Sequence, residues 1–283
     1  MKERTIADVL TEAQPYMKKY TGKTIVVKYG GNAMIAENLK DAVMEDIILL
    51  NMLGIKTVLV HGGGPEINNL LHRIGKASKF VGGLRYTDAE TMEVVQMVLA
   101  GKINKDLVAR LCARNGRAIG LCGVDAGMIH CRKHAEEDLG LVGDIVSVNP
   151  FPIVQALDSG MIPVIATVGA DEAGQTYNVN ADTAAAAIAI ALNACKLVSL
   201  TDIPGLLMDK DDESTLIHEV KISHVPKLVA EGVISGGMLP KIACCVDSIA
   251  KGVKEAVIID GRKEHAILLE MFSDQGNGTL FYG

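Results

Sequence analysis

The feature that most restricts this chain is an apolar run that closes on glycine, gives way to a helical pattern and returns to a second apolar run. Thr24-Ile25-Val26-Val27 leads into Lys28-Tyr29-Gly30-Gly31, and residues 37 to 53 carry apolar side chains at helical spacing up to the stop at Gly54. Lys56 to Val60 then runs into His61-Gly62-Gly63-Gly64-Pro65. β-branched runs bounded by glycine read as buried strands, and strand, helix, strand implies a right-handed crossover between parallel neighbours. Both glycine turns therefore fall at carboxyl ends of strands, where open α/β sheets bind ligands, and face each other across one crevice. The Lys28 turn has the layout of a phosphate cradle, although no Gly-x-x-x-x-Gly-Lys-Ser/Thr loop occurs in the chain. Taken alone, a strand-end lysine beside a glycine turn is more often a solvated surface lysine than a phosphate ligand.

The alternation continues. Pro65 opens a helix over 65–75, Thr87-Asp88 caps a long helical region over 88–115, and 117–122 reads as a strand. Residues 128–148 read as short strands and turns, 162–166 as a buried strand, and an alanine-rich helix follows as far as Ala194. Lys196 to Leu200 ends in Thr201-Asp202-Ile203-Pro204-Gly205; a helix over 223–231 leads to Gly236-Gly237-Met238-Leu239-Pro240-Lys241, then a helix over 242–251 and a strand over 256–260. This pattern predicts a three-layer α/β/α sandwich with a mainly parallel open sheet, its lobes, 21–195 and 196–283, meeting near residue 195. Ahead of them Ile6, Val9, Leu10, Ala13, Met17 and Tyr20 recur at helical spacing. Residues 5–20 thus read as an amphipathic helix, kinked at Pro15, within an N-terminal helical arm over 1–20 that either packs on its own subunit or docks on another.

Composition narrows the partners. A net charge of -6, no basic block and no tryptophan argue against a nucleic-acid or anionic-membrane partner. The most apolar helix candidate, Thr183 to Cys195, is shorter than the ~20 residues of a membrane span. Six cysteines without a Cys-x-x-Cys pair fit small buried hydrophobes in a reducing compartment, so a cytoplasmic protein is expected. The turns offer backbone donors, Lys28, Lys241, Asp182 and Arg85, with no plausible Ser-His-Asp set and no Cys/His spacing for a protein-held metal. Arg85 is a surface charge or a carboxylate clamp. Asn178, Asn180 and Asp182 alternate on one side of an extended piece, and Asp182 is either a helix N-cap or a functional carboxylate. Phosphoryl transfer fits this inventory, since it needs positioning and charge neutralisation more than a covalent nucleophile. A non-catalytic nucleotide or metabolite sensor stays open on spacing alone; a nicotinamide oxidoreductase is disfavoured by the missing Gly-x-Gly-x-x-Gly.

Five segments in order, Lys28 to Met34, Val60 to Pro65, Gly83-Leu84-Arg85, Asn178 to Ala184 and Gly236 to Lys241, together resemble the amino-acid kinase family, and within it the acetylglutamate kinases. The resemblance implies an enzyme using ATP, with Mg²⁺ held mainly by the nucleotide phosphates, to phosphorylate the γ-carboxylate of N-acetyl-L-glutamate in arginine biosynthesis. Another member of the family acting on a different acid is the nearest alternative. By position, Lys28 and Lys241 would stabilise the moving phosphoryl group while Asp182 holds both. Gly30, Gly31, Gly63 and Gly64 would approach phosphoryl oxygens and substrate, and Arg85 and Asn178 would bind acetylglutamate. Thr201, Asp202, Gly205, Leu206, Leu207 and Ile234 would border ATP. The resemblance extends to arginine-sensitive members: Tyr16, Lys221, Glu270, Gly276 and Gly278 would form an L-arginine site, in a homohexamer built as a trimer of dimers through the N-terminal helix.

Overall fold

The computed structural model describes residues 6–34, 36–274 and 276–283. Its main sheet has eight strands in the order Glu219–Lys221, Gly278–Tyr282, Glu255–Asp260, Lys196–Thr201, Thr24–Tyr29, Lys56–His61, Ile162–Ala166 and Ala118–Cys122. The last six are mutually parallel, whereas Gly278–Tyr282 runs antiparallel to Glu255–Asp260 and brings Glu219–Lys221 with it. The sheet is continuous across residue 195, with Ile25 opposite Lys196 and Lys28 opposite Ser199.

The strands are near-continuously apolar because both faces are covered. Ile25, Val27, Leu59, Val198 and Ile259 point into one core layer, against Met44, Ile47 and Leu50 of helix Glu37–Met52 and Leu99, Leu107 and Leu111 of the long helical region. The alternate residues Val26, Val58, Leu197 and Ile258 point into the other, against helices Ala181–Ala191 and Met238–Ala250. Ala184, Ala185 and Ala189 are fully buried, so small side chains let the first of these helices lie close on the sheet. A separate four-stranded sheet, in the order Thr176–Asn178, Val168–Ala170, Ile129–Lys133 and Gly143–Val148, carries Asn178 at the end of an edge strand.

Three local features differ from the sequence reading. The region over 88–115 is capped as expected, with Asp88 accepting from the Thr91 N–H at 2.8 Å, but it contains a π-helical stretch, Met97–Ile103, between Ala89–Gln96 and Asn104–Ala113. The last glycine turn passes into its helix at Met238, so Lys241 stands in the first helical turn instead of before it. The cap of helix Ala181–Ala191 is Asn180, whose Oδ1 accepts from the N–H groups of Asp182 and Thr183 at 2.9 and 3.1 Å. Asp182 is thereby released from capping. The N-terminal helix spans Ile6–Tyr20 with Pro15 inside it; residue 5, its expected start, lies outside the described residues.

Candidate active site

Lys28 is the fifth residue of the strand Thr24–Tyr29 and only 6% exposed. Its Nζ lies 3.0 Å from Oδ1 of Asp182, and Nζ of Lys241 lies 2.9 Å from Oδ2 of the same carboxylate. One aspartate, brought in by its place in a first helical turn, thus holds two ammonium groups that arrive from a strand end and from another helix. Burial pushes the Asp182 carboxyl up, but Lys28 and then Lys241 outweigh it and hold it below the ordinary aspartate value. The site therefore keeps a net positive charge with Asp182 ionised, an arrangement that suits a polyanionic ligand.

Lys28 and Asp182 line a cavity of about 550 Å³ shared by the two glycine turns, and Lys241 reaches it through Asp182. Gly31 has φ +70°, and a Cβ there would stand 2.5 Å from Oδ1 of Asp202. That position requires glycine on both conformational and steric grounds. Gly30 faces Lys28, and an added Cβ would come within 3.1 Å of its Nζ. Gly63 is glycine for a different reason: a Cβ would stand 2.3 Å from Cδ1 of Ile103 and 2.7 Å from Cδ2 of Leu99, both in the π-helical stretch. His61, between strand and glycines, is fully buried and held neutral, its pKa pushed down to about 4 by burial. Its ring nitrogens meet the Gly62 carbonyl at 3.0 Å and Asn104 Nδ2 at 3.2 Å, so it belongs to the scaffold.

Arg85 and Asn178 line the same cavity as Lys28. Arg85 is 7% exposed, stacks 4.7 Å above the Phe80 ring, and donates to Ser78 Oγ at 3.0 Å and to the Gly64 carbonyl at 3.2 Å. Its burial rules out the surface-charge reading, and among the described residues no carboxylate pairs with it. Asn178 donates through Nδ2 to Thr87 Oγ1 at 3.1 Å.

Of the residues expected to border a nucleotide, Gly30, Gly31 and Asp202 line this cavity. Thr201, Gly205, Leu206, Leu207 and Ile234 do not. Thr201 is buried at its strand end with Oγ1 3.1 Å from the Ile203 carbonyl; Leu206 and Ile234 belong to the core. Gly205 (φ +148°) packs where a Cβ would meet Thr279 Oγ1 at 2.6 Å. The described residues contain no cluster of three metal-ligating side chains. The carboxylate beside the Gly31 turn is that of Asp202, a hard oxygen donor of the kind a divalent ion takes.

A second cavity, about 470 Å³, lies between the N-terminal helix and the last elements of the chain. It gathers Tyr16, Glu270, Gly276 and Gly278 but not Lys221. It also contains residues the sequence reading missed: Lys19, Lys196, Glu255 and Asp274. Lys196, 3% exposed, lies 2.7 Å from Glu270 and 3.3 Å from Glu255; Lys19 and Tyr20 meet Glu255 at 2.7 and 3.1 Å, and Tyr16 hydrogen-bonds Asp274. Burial works against the Lys196 charge, but Glu270 and its neighbours outweigh that and raise its pKa. The available signal was a lysine and a glutamate each opening a buried strand, Lys196 directly opposite Glu255 in the sheet.

An open, mainly parallel sheet with two lysines joined by one carboxylate at its glycine turns defines a class of phosphotransferase, and the chain belongs to the amino acid kinase family, whose model matches residues 23–260. It is 53% identical to the acetylglutamate kinase of Heliobacterium modesticaldum over 97% of either chain. It is 56% identical to the acetylglutamate kinase of Clostridioides difficile, over 97% of this chain and 96% of that one. Among solved structures, the N-acetylglutamate synthase of Neisseria gonorrhoeae complexed with coenzyme A and N-acetyl-glutamate matches with a TM-score of 0.88 at 25% identity. That match covers 99% of this chain and 64% of the synthase.

Proposed function

We propose that this enzyme transfers the γ-phosphoryl group of ATP to the γ-carboxylate of N-acetyl-L-glutamate, forming N-acetyl-L-glutamyl 5-phosphate on the route to arginine. The observation that carries the reading is the Lys28–Asp182–Lys241 bridge, whose first two members line one cavity together with Arg85 and Asn178. The attacking carboxylate is already ionised near neutral pH, so no general base is needed. Its oxygen attacks the γ-phosphorus, the bond from phosphorus to the bridging oxygen breaks, and the electron pair leaves with ADP. The obstacle is repulsion between anions. Lys28, Lys241 and the amides of the glycine turns offset it as charge spreads over the phosphoryl oxygens. Arg85 takes the α-carboxylate with two N–H groups, and Asn178 takes the acetamido group. Mg²⁺ bound to the phosphates supplies further neutralisation.

Two finer points belong to the same reading. Lobe 196–283 carries the nucleotide, with Thr201, Asp202, Gly205, Leu206, Leu207 and Ile234 shaping its border, while lobe 21–195 carries acetylglutamate. L-Arginine inhibits from the second cavity, in a hexamer built as a trimer of dimers. The carboxylates of Glu255, Glu270 and Asp274 support that assignment, since they outnumber the ammonium groups of Lys19 and Lys196 there. The deciding experiment supplies ATP, N-acetylglutamate and hydroxylamine and looks for the hydroxamate an acyl phosphate forms. A chain that makes none from N-acetylglutamate, yet makes one from a different acid, would refute the substrate while keeping the chemistry.

A further inference from the structure

The buried hydroxyl of Thr87 joins the backbone of Arg85 to the side chain of Asn178, the two residues assigned to acetylglutamate. Thr87 is 0% exposed; its Oγ1 lies 2.8 Å from the Arg85 carbonyl and 3.1 Å from Asn178 Nδ2. A carbonyl only accepts, so the single hydroxyl proton is committed to Arg85, and toward Asn178 the oxygen has only a lone pair to offer. That fixes the amide: Nδ2 must face Thr87, and Oδ1, which makes no hydrogen bond among the described residues, is left for the cavity that Asn178 lines. The backbone locks the arrangement from a third segment. The Thr87 N–H donates to the Leu139 carbonyl at 2.9 Å, Leu141 N–H donates to the Thr87 carbonyl at 2.6 Å, and Asn178 N–H donates to the Leu141 carbonyl at 2.9 Å. Gly140, between them at φ +70°, lies where a Cβ would stand 2.3 Å from the Thr87 carbonyl oxygen.

We propose that Thr87 is a specificity-setting positioning residue: through its hydroxyl it holds Asn178 with an acceptor turned to the substrate, selecting acids that carry an amide N–H next to the α-carbon. The proposal rests on the acetylglutamate reading of the same cavity. A site built around a hydrogen bond rejects a substrate unable to make it more strongly than a site that merely fits its shape, because the unmatched polar group stays buried.

The test uses the full-length enzyme with N-acetylglutamate and with 2-acetoxyglutarate, the ester in which oxygen replaces the N–H. The unaltered enzyme should turn over the amide with kcat/KM at least tenfold above the ester. Thr87→Val, close in shape but unable to donate or accept, should raise the KM for N-acetylglutamate about tenfold, leave the KM for ATP and kcat within threefold, and narrow the preference for amide over ester. Thr87→Ser, which keeps the hydroxyl, should restore both. An unaltered enzyme that uses ester and amide equally overturns the proposal without any variant, as does a Thr87→Val enzyme with unchanged KM and selectivity, or a Thr87→Ser enzyme as impaired as a poorly folded Thr87→Val. An enzyme that does not phosphorylate N-acetylglutamate at all refutes instead the substrate assignment beneath it.

Discussion

Asp182 divides its two oxygens between two lysines, so each lysine is held by one contact and is free to turn its remaining hydrogens to a ligand. On the proposed mechanism the charge on each matters most while the phosphoryl group is between two oxygens, an interaction made in the transition state. Lys28→Ala and Lys241→Ala should therefore each lower kcat by about 10²-fold or more with a smaller change in KM, as steady-state kinetics would show. A variant with near-normal kcat would remove that lysine from the mechanism. Arg85→Lys should act on binding: an ammonium cannot reproduce the two-pronged contact with a carboxylate. The KM for acetylglutamate should rise by about tenfold or more while the KM for ATP stays, and an unchanged KM would exclude Arg85 from the site. In the chain Lys28, Arg85 and Lys241 stand near paired glycines, and Asp182 stands in the alternation Asn178, Asn180, Asp182, which is what marks them locally. Thr87, Ser78 and Phe80 were not legible in the same way. Their role comes from contacts such as Thr87 to Asn178, 91 positions apart, and nothing local marks a threonine before a helix as more than part of a cap.

At the scale of elements, periodicity located most helices and strands, since burial of both sheet faces leaves apolar runs that are hard to misread. It missed the π-helical stretch Met97–Ile103, because one wider turn shifts the buried face without changing which residue types fill it. That stretch presses Leu99 and Ile103 onto Gly63 and is followed by Asn104, buried against His61 and the carbonyls of Leu121 and Val164. Gly63→Ala should consequently force the helix from the glycine turn and cost about 1–3 kcal/mol of stability, read as a lower urea midpoint together with reduced activity. Another inter-element link was equally hidden in sequence: His265 Nδ1 lies 2.7 Å from Oδ1 of the fully buried Asp46, joining helix Ala266–Phe272 to helix Glu37–Met52. Hydrogen bonding to Asp46 raises the His265 pKa, while burial raises that of Asp46. The histidine's contribution to stability is thus fully present below its ordinary value near ~6.5 and is lost as pH rises through the raised folded value. His265→Asn, which tolerates the left-handed backbone there (φ 54°), should lower the urea midpoint at pH 6, with a smaller effect at pH 9. An equal effect at both would show that the ionised pair is not what the substitution removes.

For the whole molecule, the register of the sheet separates two sites. Lys28 stands opposite Ser199 at the carboxyl end of the central strands, whereas Ile25 stands opposite Lys196 at their amino end, three residues away, which is roughly 10 Å along a strand. The N-terminal helix is held at that far edge by Lys19 and Tyr20 on Glu255 and by Tyr16 on Asp274, while Val9 and Leu10 remain more than half exposed. Sequence periodicity gave this helix but not its berth, because Glu255 and Asp274 are single charges distant in the chain. Arginine entering the second cavity would compete for the carboxylates of Glu255, Glu270 and Asp274 that now pair with Lys19, Lys196 and Tyr16, and so would bear on the arm and on strand Lys196–Thr201, which adjoins the Lys28 strand directly. The inhibition can be no larger than arginine's preference for the less active arrangement. Removing residues 1–20 takes away Tyr16, Lys19 and Tyr20 together and leaves Lys28, Asp182, Lys241, Arg85 and Asn178 in place. The truncated enzyme should run as a dimer by light scattering where the full chain runs as a hexamer, keep its kcat within about threefold, and lose its response to arginine at millimolar concentration. If the full chain is already a dimer, or its rate ignores arginine, the second cavity is not an effector site, and the charges around Lys196 serve only to seat the helix against the sheet.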